Sequence, residues 1–213
     1  MRHPTDDPGS PSPPDRAERE RQLAARAASA ARCTRCDLYR RATQVVYGHG
    51  AVDPHLMLVG EQPGDQEDRA GRPFVGPAGR VLDEALHEAG LRPTDVYLTN
   101  AVKHFKWQPR GKRRIHQKPD VAEIHACATW LEDEMDLVRP AVVVCLGVTA
   151  ARAVLGRPTT ISAVRGRVLE GSAPRPVVVT IHPSAVLRAR EGDDRAALRA
   201  GLVADLVVAR RAA

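Results

Sequence analysis

Residues 103–118, KHFKWQPRGKRRIHQK, hold seven Lys or Arg and no acid, with Phe105 and Trp107 interleaved. Basic side chains engage phosphates, and aromatic rings offer faces on which unpaired bases stack. On this pattern Lys112, Arg113 and Arg114 are expected to face a polyanion. Phosphate binding needs no histidine, so His116 requires a separate account. Neighbouring cations hold an imidazole pKa down and keep the ring neutral. A neutral imidazole near a carboxylate such as Glu61 serves as base or nucleophile.

Three other stretches carry chemistry. GEQPGDQEDRAGRPFVGPAG, residues 60–79, packs five glycines, three prolines and four acids into twenty residues. It reads as a loop in which glycines permit tight turns and close backbone approach. Glu61 and Asp65 supply carboxylates directly after a strand, and Phe74 supplies a flat ring for stacking. Neither a Walker lysine nor GxGxxG occurs in it, so nucleotide-phosphate binding has little support. In IHPSAVLR, residues 181–188, His182 ends a strand. Ser184 is expected to cap the helix that follows and offer its N-terminus to a phosphate, with Leu187 as an apolar wedge. The cysteines run Cys33-x2-Cys36, then Cys127 and Cys145. A CxxC pair brings two thiolates within reach of one centre. With the other two cysteines in a helix and a strand, zinc and an iron–sulfur cluster both remain open, as does a buried free thiol for Cys145.

The elements that must position these residues alternate. Apolar strands are expected at 55–60, 95–100, 141–147 and 175–183. Helices are expected at 16–31, 77–90, 120–138, 148–156 and 194–212, with Asp120 as a cap. Strands apolar throughout belong to a parallel sheet covered on both faces. The fold class is therefore α/β, a three-layer α/β/α sandwich with a mainly parallel central sheet. In such folds ligands bind beyond the carboxyl ends of the strands, so Gly60-Glu61-Gln62, Thr99-Asn100 and His182-Pro183-Ser184 should share one cleft. Residues 1–15 read as a disordered Pro-rich tail and 16–213 as one domain.

Composition narrows the class. The 213 residues carry a net charge of +6 and 43% hydrophobic residues, ordinary for a globular domain with a basic bias toward nucleic acid. No apolar run reaches the roughly 20 residues of a spanning helix, so no membrane role is expected. A cytoplasmic, nucleoid-associated location is expected, and four cysteines there point to ligation before disulfides.

Taken together, GEQPGDQED, GRPFVGPAG, TNAVKH and HPSAVLR resemble the active-site motifs of the family 4 uracil-DNA glycosylases. The four-cysteine spacing resembles that family's 4Fe–4S ligand set, implying Cys33, Cys36, Cys127 and Cys145 as ligands. The likeness spans about Cys33 to Arg188. It implies the same sandwich, extrusion of uracil from DNA and cleavage of its N-glycosidic bond. Gly60, Gln62, Phe74 and Asn100 would then hold the base, Phe74 by stacking and Asn100 by reading its Watson–Crick edge. His182 would stabilise the departing uracil anion, and Ser184, Leu187 and Arg188 would touch the DNA. Gln62 after Glu61, and the segment KRRIH at 112–116, resemble a narrower UdgX-like branch. In that branch the histidine of the segment attacks the sugar C1′, which implies covalent capture on His116 with Glu61 orienting or activating it. The implied partner is uracil-containing DNA, single-stranded DNA included, bound by a monomer. Two rivals are a multiple-turnover glycosylase with Glu61 or Asp65 assisting water, and a non-catalytic single-strand binder.

Overall fold

The computed structural model describes residues 14–170, 174–190 and 192–213. The tail expected at 1–15 lies outside these, apart from Pro14 and Asp15. Asp15 belongs to the first helix: its carboxylate accepts the Glu18 N–H at 2.7 Å as the N-cap. In chain order the elements are α1 (Arg16–Ala30), β1 (His49–Gly50), β2 (Leu56–Gly60), α2 (Asp65–Ala70), α3 (Pro77–Glu88), β3 (Val96–Asn100), β4 (Trp107–Arg110), β5 (Arg113–His116), α4 (Val121–Val138), β6 (Val142–Leu146), α5 (Val148–Leu155), α6 (Ile161–Val164), β7 (Val168–Leu169), β8 (Val177–Thr180), α7 (Ser184–Arg188) and α8 (Asp193–Ala212). Among the described residues no helix is long and apolar enough to cross a membrane.

The central sheet has the order β1-β3-β2-β6-β8-β7. Its four inner strands are parallel, and β1 and β7 pair antiparallel at the edges. Alternation explains why β2 and β6 are apolar throughout. Leu56, Leu58, Val142 and Val144 face α3 and α8 through Leu82, Leu86, Leu202 and Leu206. Met57, Val59, Val143 and Cys145 face α4 and α5 through Leu131, Val138, Ala150 and Ala151. Each fully buried Leu or Val is worth about 1.5–3 kcal/mol relative to exposure, so polar residues inside the strands are excluded and accumulate at their ends. This is the three-layer sandwich expected from the sequence. Asp120 caps α4 in a reciprocal box: Glu123 N–H donates to Asp120 Oδ1 at 2.9 Å and Asp120 N–H to Glu123 Oε2 at 2.8 Å.

Two expected loops are ordered otherwise. Residues 103–118 contain the β4–β5 hairpin, in which Trp107 pairs with His116 and Gly111, at φ 58°, supplies the turn. Residues 60–79 contain α2. Lys103, counted above as a phosphate-facing cation, is buried. Its ammonium donates to Glu134 at 2.5 Å, Thr99 Oγ1 at 2.7 Å and the Asn100 carbonyl at 2.8 Å. Glu134 is fully buried and also accepts from Thr99 and from the Gly48 N–H. Such a pair resists removal of either partner, because the survivor would be an uncompensated buried charge. Its effect is to fix the backbone at the end of β3.

Candidate active site

The carboxyl ends of β2, β3, β6 and β8 open into a cavity of about 760 Å³. Glu61, Gln62, Asp65, Phe74, Asn100, His116, His182, Ser184, Leu187 and Arg188 all line it. The three strand-end motifs therefore do share one cleft. Lys112 and Arg113 do not line it; they are exposed at the hairpin turn. Gly60 lies just behind the wall. A Cβ there would stand 2.3 Å from Asn100 Oδ1 and 2.7 Å from Phe74 Cζ, so only glycine lets amide and ring approach. Phe74 adopts a left-handed φ of 56°, a conformation rare for an aromatic residue and held here at the cavity wall. Among the described residues no protein group hydrogen-bonds the Asn100 carboxamide, though the residue is only 3% exposed. Val75, Ile115, Val148 and Leu187, four of the five large hydrophobic residues exposed in the described structure, belong to the segments that frame the cavity.

His182 has a fixed tautomer. Its Nδ1 accepts the Ser184 N–H at 3.1 Å and meets Ser184 Oγ at 2.8 Å, and Arg188 donates to that Oγ at 2.8 Å. The ring proton therefore sits on Nε2. Burial pushes the His182 pKa down to about 4, with Arg188 and His116 adding to it. A neutral ring with a donor N–H is suited to meeting negative charge that develops on a leaving group. Ser184 does not cap α7 as expected. Its hydroxyl is spent on His182 and Arg188, Pro183 holds the cap position, and the helix is five residues long.

His116 faces Glu61, with Nε2 at 3.5 Å from Oε1. The other Glu61 oxygen accepts from Thr149 Oγ1 at 2.5 Å, so Thr149 orients the carboxylate toward the histidine. The sequence reading missed Thr149; its signal was position, just past the end of the apolar strand β6. The His116 pKa is lowered, as expected, but mainly by partial burial; Glu61 opposes the shift and Arg188 assists it. The hairpin's own arginines are not the cause. Asp65, the other expected carboxylate, is committed to Arg114 and Arg69. Burial works against its ionisation, but those two guanidinium groups hold its pKa below the usual value.

Two clamps hold the hairpin over the cavity. Gln62 donates to the carbonyls of Lys106 at 3.2 Å and Gln117 at 2.9 Å, and accepts the Lys106 N–H at 3.0 Å. Its amide is thus spent on the hairpin's base, where a base-holding role was expected. Arg114 bonds Asp65 and, at 2.6 Å, the fully buried Asp68. Its guanidinium also lies 5.4 Å from the Phe105 ring centre and 5.5 Å from that of Trp107. Arg114, expected to meet phosphate, is a structural anchor. Arg114→Met is expected to cost about 3 kcal/mol in chemical denaturation, since it strands the Asp68 charge. It should also loosen the strand that carries His116.

Among the described residues no three His, Cys, Asp or Glu side chains converge on a single metal ion. The cysteines that the resemblance implied as one ligand set stand in different surroundings. The Cys36 thiolate is held low by hydrogen bonds from Cys127 and the His104 ring. Cys33 Sγ accepts from Trp130 Nε1, one turn beyond Cys127 on α4, at 3.2 Å. Cys145 is packed in the apolar face of β6, where burial alone raises its pKa. Cys33 and Cys36 thus lie by Trp130 and Cys127 of α4, and Cys145 lies inside the sheet.

The family model described as "Uracil DNA glycosylase superfamily" matches residues 47–207. A type-4 uracil-DNA glycosylase of Thermotoga maritima is 39% identical over 161 residues, covering 75% of this chain and 80% of that protein. One from Archaeoglobus fulgidus is 39% identical over 160 residues, covering 71% and 76%. A type-5 uracil-DNA glycosylase of Pyrobaculum aerophilum is 34% identical over 152 residues, covering 63% of each chain.

Proposed function

Because the chain belongs to the uracil DNA glycosylase superfamily, we propose that it takes uracil from DNA into this cavity, breaks the N-glycosidic bond and captures the sugar on His116. Extrusion is needed because the bond is unreachable within a stacked duplex. Phe74 stacks on the base. The Asn100 carboxamide accepts from uracil N3–H and donates to O4, a pattern cytosine reverses. As the bond between N1 and C1′ breaks, its electron pair leaves on uracil, and the Nε2–H of His182 donates to O2. A lone pair of the neutral His116 ring forms the new bond to C1′. The ring's own proton is released and the uracil anion takes one up, so uracil-DNA and protein give adduct and free uracil. Lys112, Arg113 and Arg188 lie toward phosphates, with Leu187 at the rim as wedge.

The observation that supports capture is the setting of His116: a neutral ring on a doubly clamped hairpin, beside a Thr149-oriented carboxylate, at the cavity of Asn100 and His182. Conventional turnover is the second reading. The type-4 relatives favour it, with Glu61 as the group that activates a water. Mixing the protein with a single-stranded uracil oligonucleotide, and with a thymine control, decides between them on a denaturing gel. A uracil-dependent shifted band that survives heat and detergent is the capture result. Alkali-cleavable free DNA without that band is the turnover result, and equal binding to thymine DNA sinks both.

Capture should also have a distinctive pH profile. Protonation removes the attacking lone pair, so the rate falls as pH drops through the His116 pKa. With that pKa held below the ordinary histidine value, mainly by burial, the half-rate point of single-turnover capture should fall below about pH 6.5. A profile measured between about pH 5 and 8 that is already halved at 6.5 or above would place the pKa at or above the ordinary histidine value.

The reading includes a 4Fe–4S cluster held by Cys33, Cys36 and Cys127 with one further ligand. Bound there, it would tie the end of α1 to α4 and the segment after β3; cleaving a glycosidic bond transfers no electrons.

A further inference from the structure

We propose that a second cavity, separated from the uracil cavity by Val148, binds the nucleotide next to the uracil on the same strand. The inference rests on the reading of the main cavity as the uracil site and adds a place for the neighbour. The second cavity has a volume of about 410 Å³, within the range of about 300–1,000 Å³ found for small-ligand sites. Val148 lines both cavities. Thr149, beside it, lines the second cavity while its hydroxyl donates to Glu61 of the first. The first turn of α5 thus forms the partition. Of the five large hydrophobic residues exposed in the described structure, Val121 is the one outside the frame of the main cavity, and it lines the second. Exposed apolar groups gathered at two adjoining hollows mark both as places that a ligand covers.

The charge of the second cavity suits a phosphodiester. Lys118 and Arg152 line it, and no Asp or Glu does. The acids nearest to Lys118 in sequence are already engaged: Asp120 and Glu123 accept from Lys106 at 3.2 and 2.8 Å. Lys118 and Arg152 therefore stand without an acidic partner among the described residues. Val121, Val148 and Pro158 offer apolar contact to a base, and the two cations meet the phosphate that joins it to the deoxyuridine. Connection decides the occupant. Once uracil is seated in the main cavity, the next nucleotide of its strand is the anion that lies within one side chain's width. The neighbour is held by its face and its phosphate, so the presence of a base matters more than its identity.

The test follows uracil release from single-stranded oligonucleotides, a readout that capture and turnover share. One oligonucleotide is intact, one carries an abasic sugar analogue directly 5′ of the deoxyuridine, and one carries it directly 3′. The full chain is used as wild type and as Val121→Glu/Arg152→Glu, with far-UV circular dichroism to check folding. The quantity read is the protein concentration that gives half the maximal single-turnover rate. In wild type, loss of the base on one flank should raise it at least about fivefold, the low end for one stacked base. In the double variant the new carboxylates repel the neighbour's phosphate, and the same loss should change it less than about twofold. Should that variant fail to fold, Arg152→Gln takes its place, with the flank effect expected to shrink at least about twofold. Wild type indifferent to both abasic flanks would overturn the subsite. So would a variant that weakens on every substrate and keeps the full flank effect, since Arg152 would then only attract DNA at long range. Wild-type protein that releases no uracil from any of the three would overturn the glycosylase reading and the subsite with it, an outcome visible before any variant is made.

Discussion

Replacing His116 by alanine is expected to abolish the heat- and detergent-resistant adduct while leaving uracil release measurable. The two steps depend on different groups. Base departure needs Asn100, Phe74 and His182, none of which hydrogen-bonds His116. Capture needs a nucleophile at C1′ before water arrives. A well-oriented group reaches an effective molarity of about 10⁵–10⁸ M, against roughly 55 M for water, so a correctly seated imidazole wins almost every event. The Gln62 and Arg114 clamps are what supply that seating. Without the ring, water has no competitor and the product is a free abasic site. The gel should show complete loss of the shifted band, with alkali-cleavable DNA appearing instead. In wild type, the intact mass should equal protein plus oligonucleotide minus uracil. A band that persists in His116→Ala would move the nucleophile elsewhere. A wild type that turns over many substrates without a band would leave His116 as a cavity-edge residue and Glu61 as the group that activates water.

What could be read from the sequence follows from where the physics was local. Strands β2, β3, β6 and β8 were legible within a few residues because each is buried on both faces. The polar residues at their ends had to converge because parallel strands end on one side. The β4–β5 hairpin was not legible: its strands are mostly exposed and show no apolar alternation, so only Gly111 hinted at a turn. The charges of residues 103–118 misled for a related reason. Lys103, Lys106 and Arg114 counted as free cations, but Glu134, Glu123 and Asp68, which neutralise them, lie far away in sequence. The neutral state of His116 was expected for the wrong cause, since burial lowers its pKa first, against Glu61 and with help from Arg188, and the hairpin's own arginines do not contribute. Cys145 illustrates the limit of spacing. A cysteine in an apolar strand and a cysteine that binds iron look alike until the strand's neighbours are known.

Asn100→Asp should reduce uracil excision about 10²–10³-fold, the usual cost of removing one aligned donor from a developing-charge site, without giving cytosine activity in return. The substitution is isosteric. The wild-type carboxamide makes no hydrogen bond to the described protein, so the fold loses no contact by it and bears only the cost of burying a carboxyl group. The backbone at this position is fixed independently, by pairing with Gly60 and by the Lys103 ammonium on its carbonyl. The effect is therefore confined to the edge presented to the base. An aspartate can still accept from uracil N3–H, but it faces O4 with an oxygen where a donor stood, and that repulsion persists into the transition state. Against cytosine it accepts from the exocyclic amine but opposes the N3 lone pair, so it gains one contact and loses the other. Single-turnover assays on uracil and cytosine oligonucleotides, with a melting curve for the variant, separate the possibilities. A drop in uracil excision in a variant whose melting curve shows it still folded assigns Asn100 to base reading. Undiminished uracil excision would mean that selectivity comes from the shape set by Phe74 and Gly60, because those residues alone would then decide which base fits.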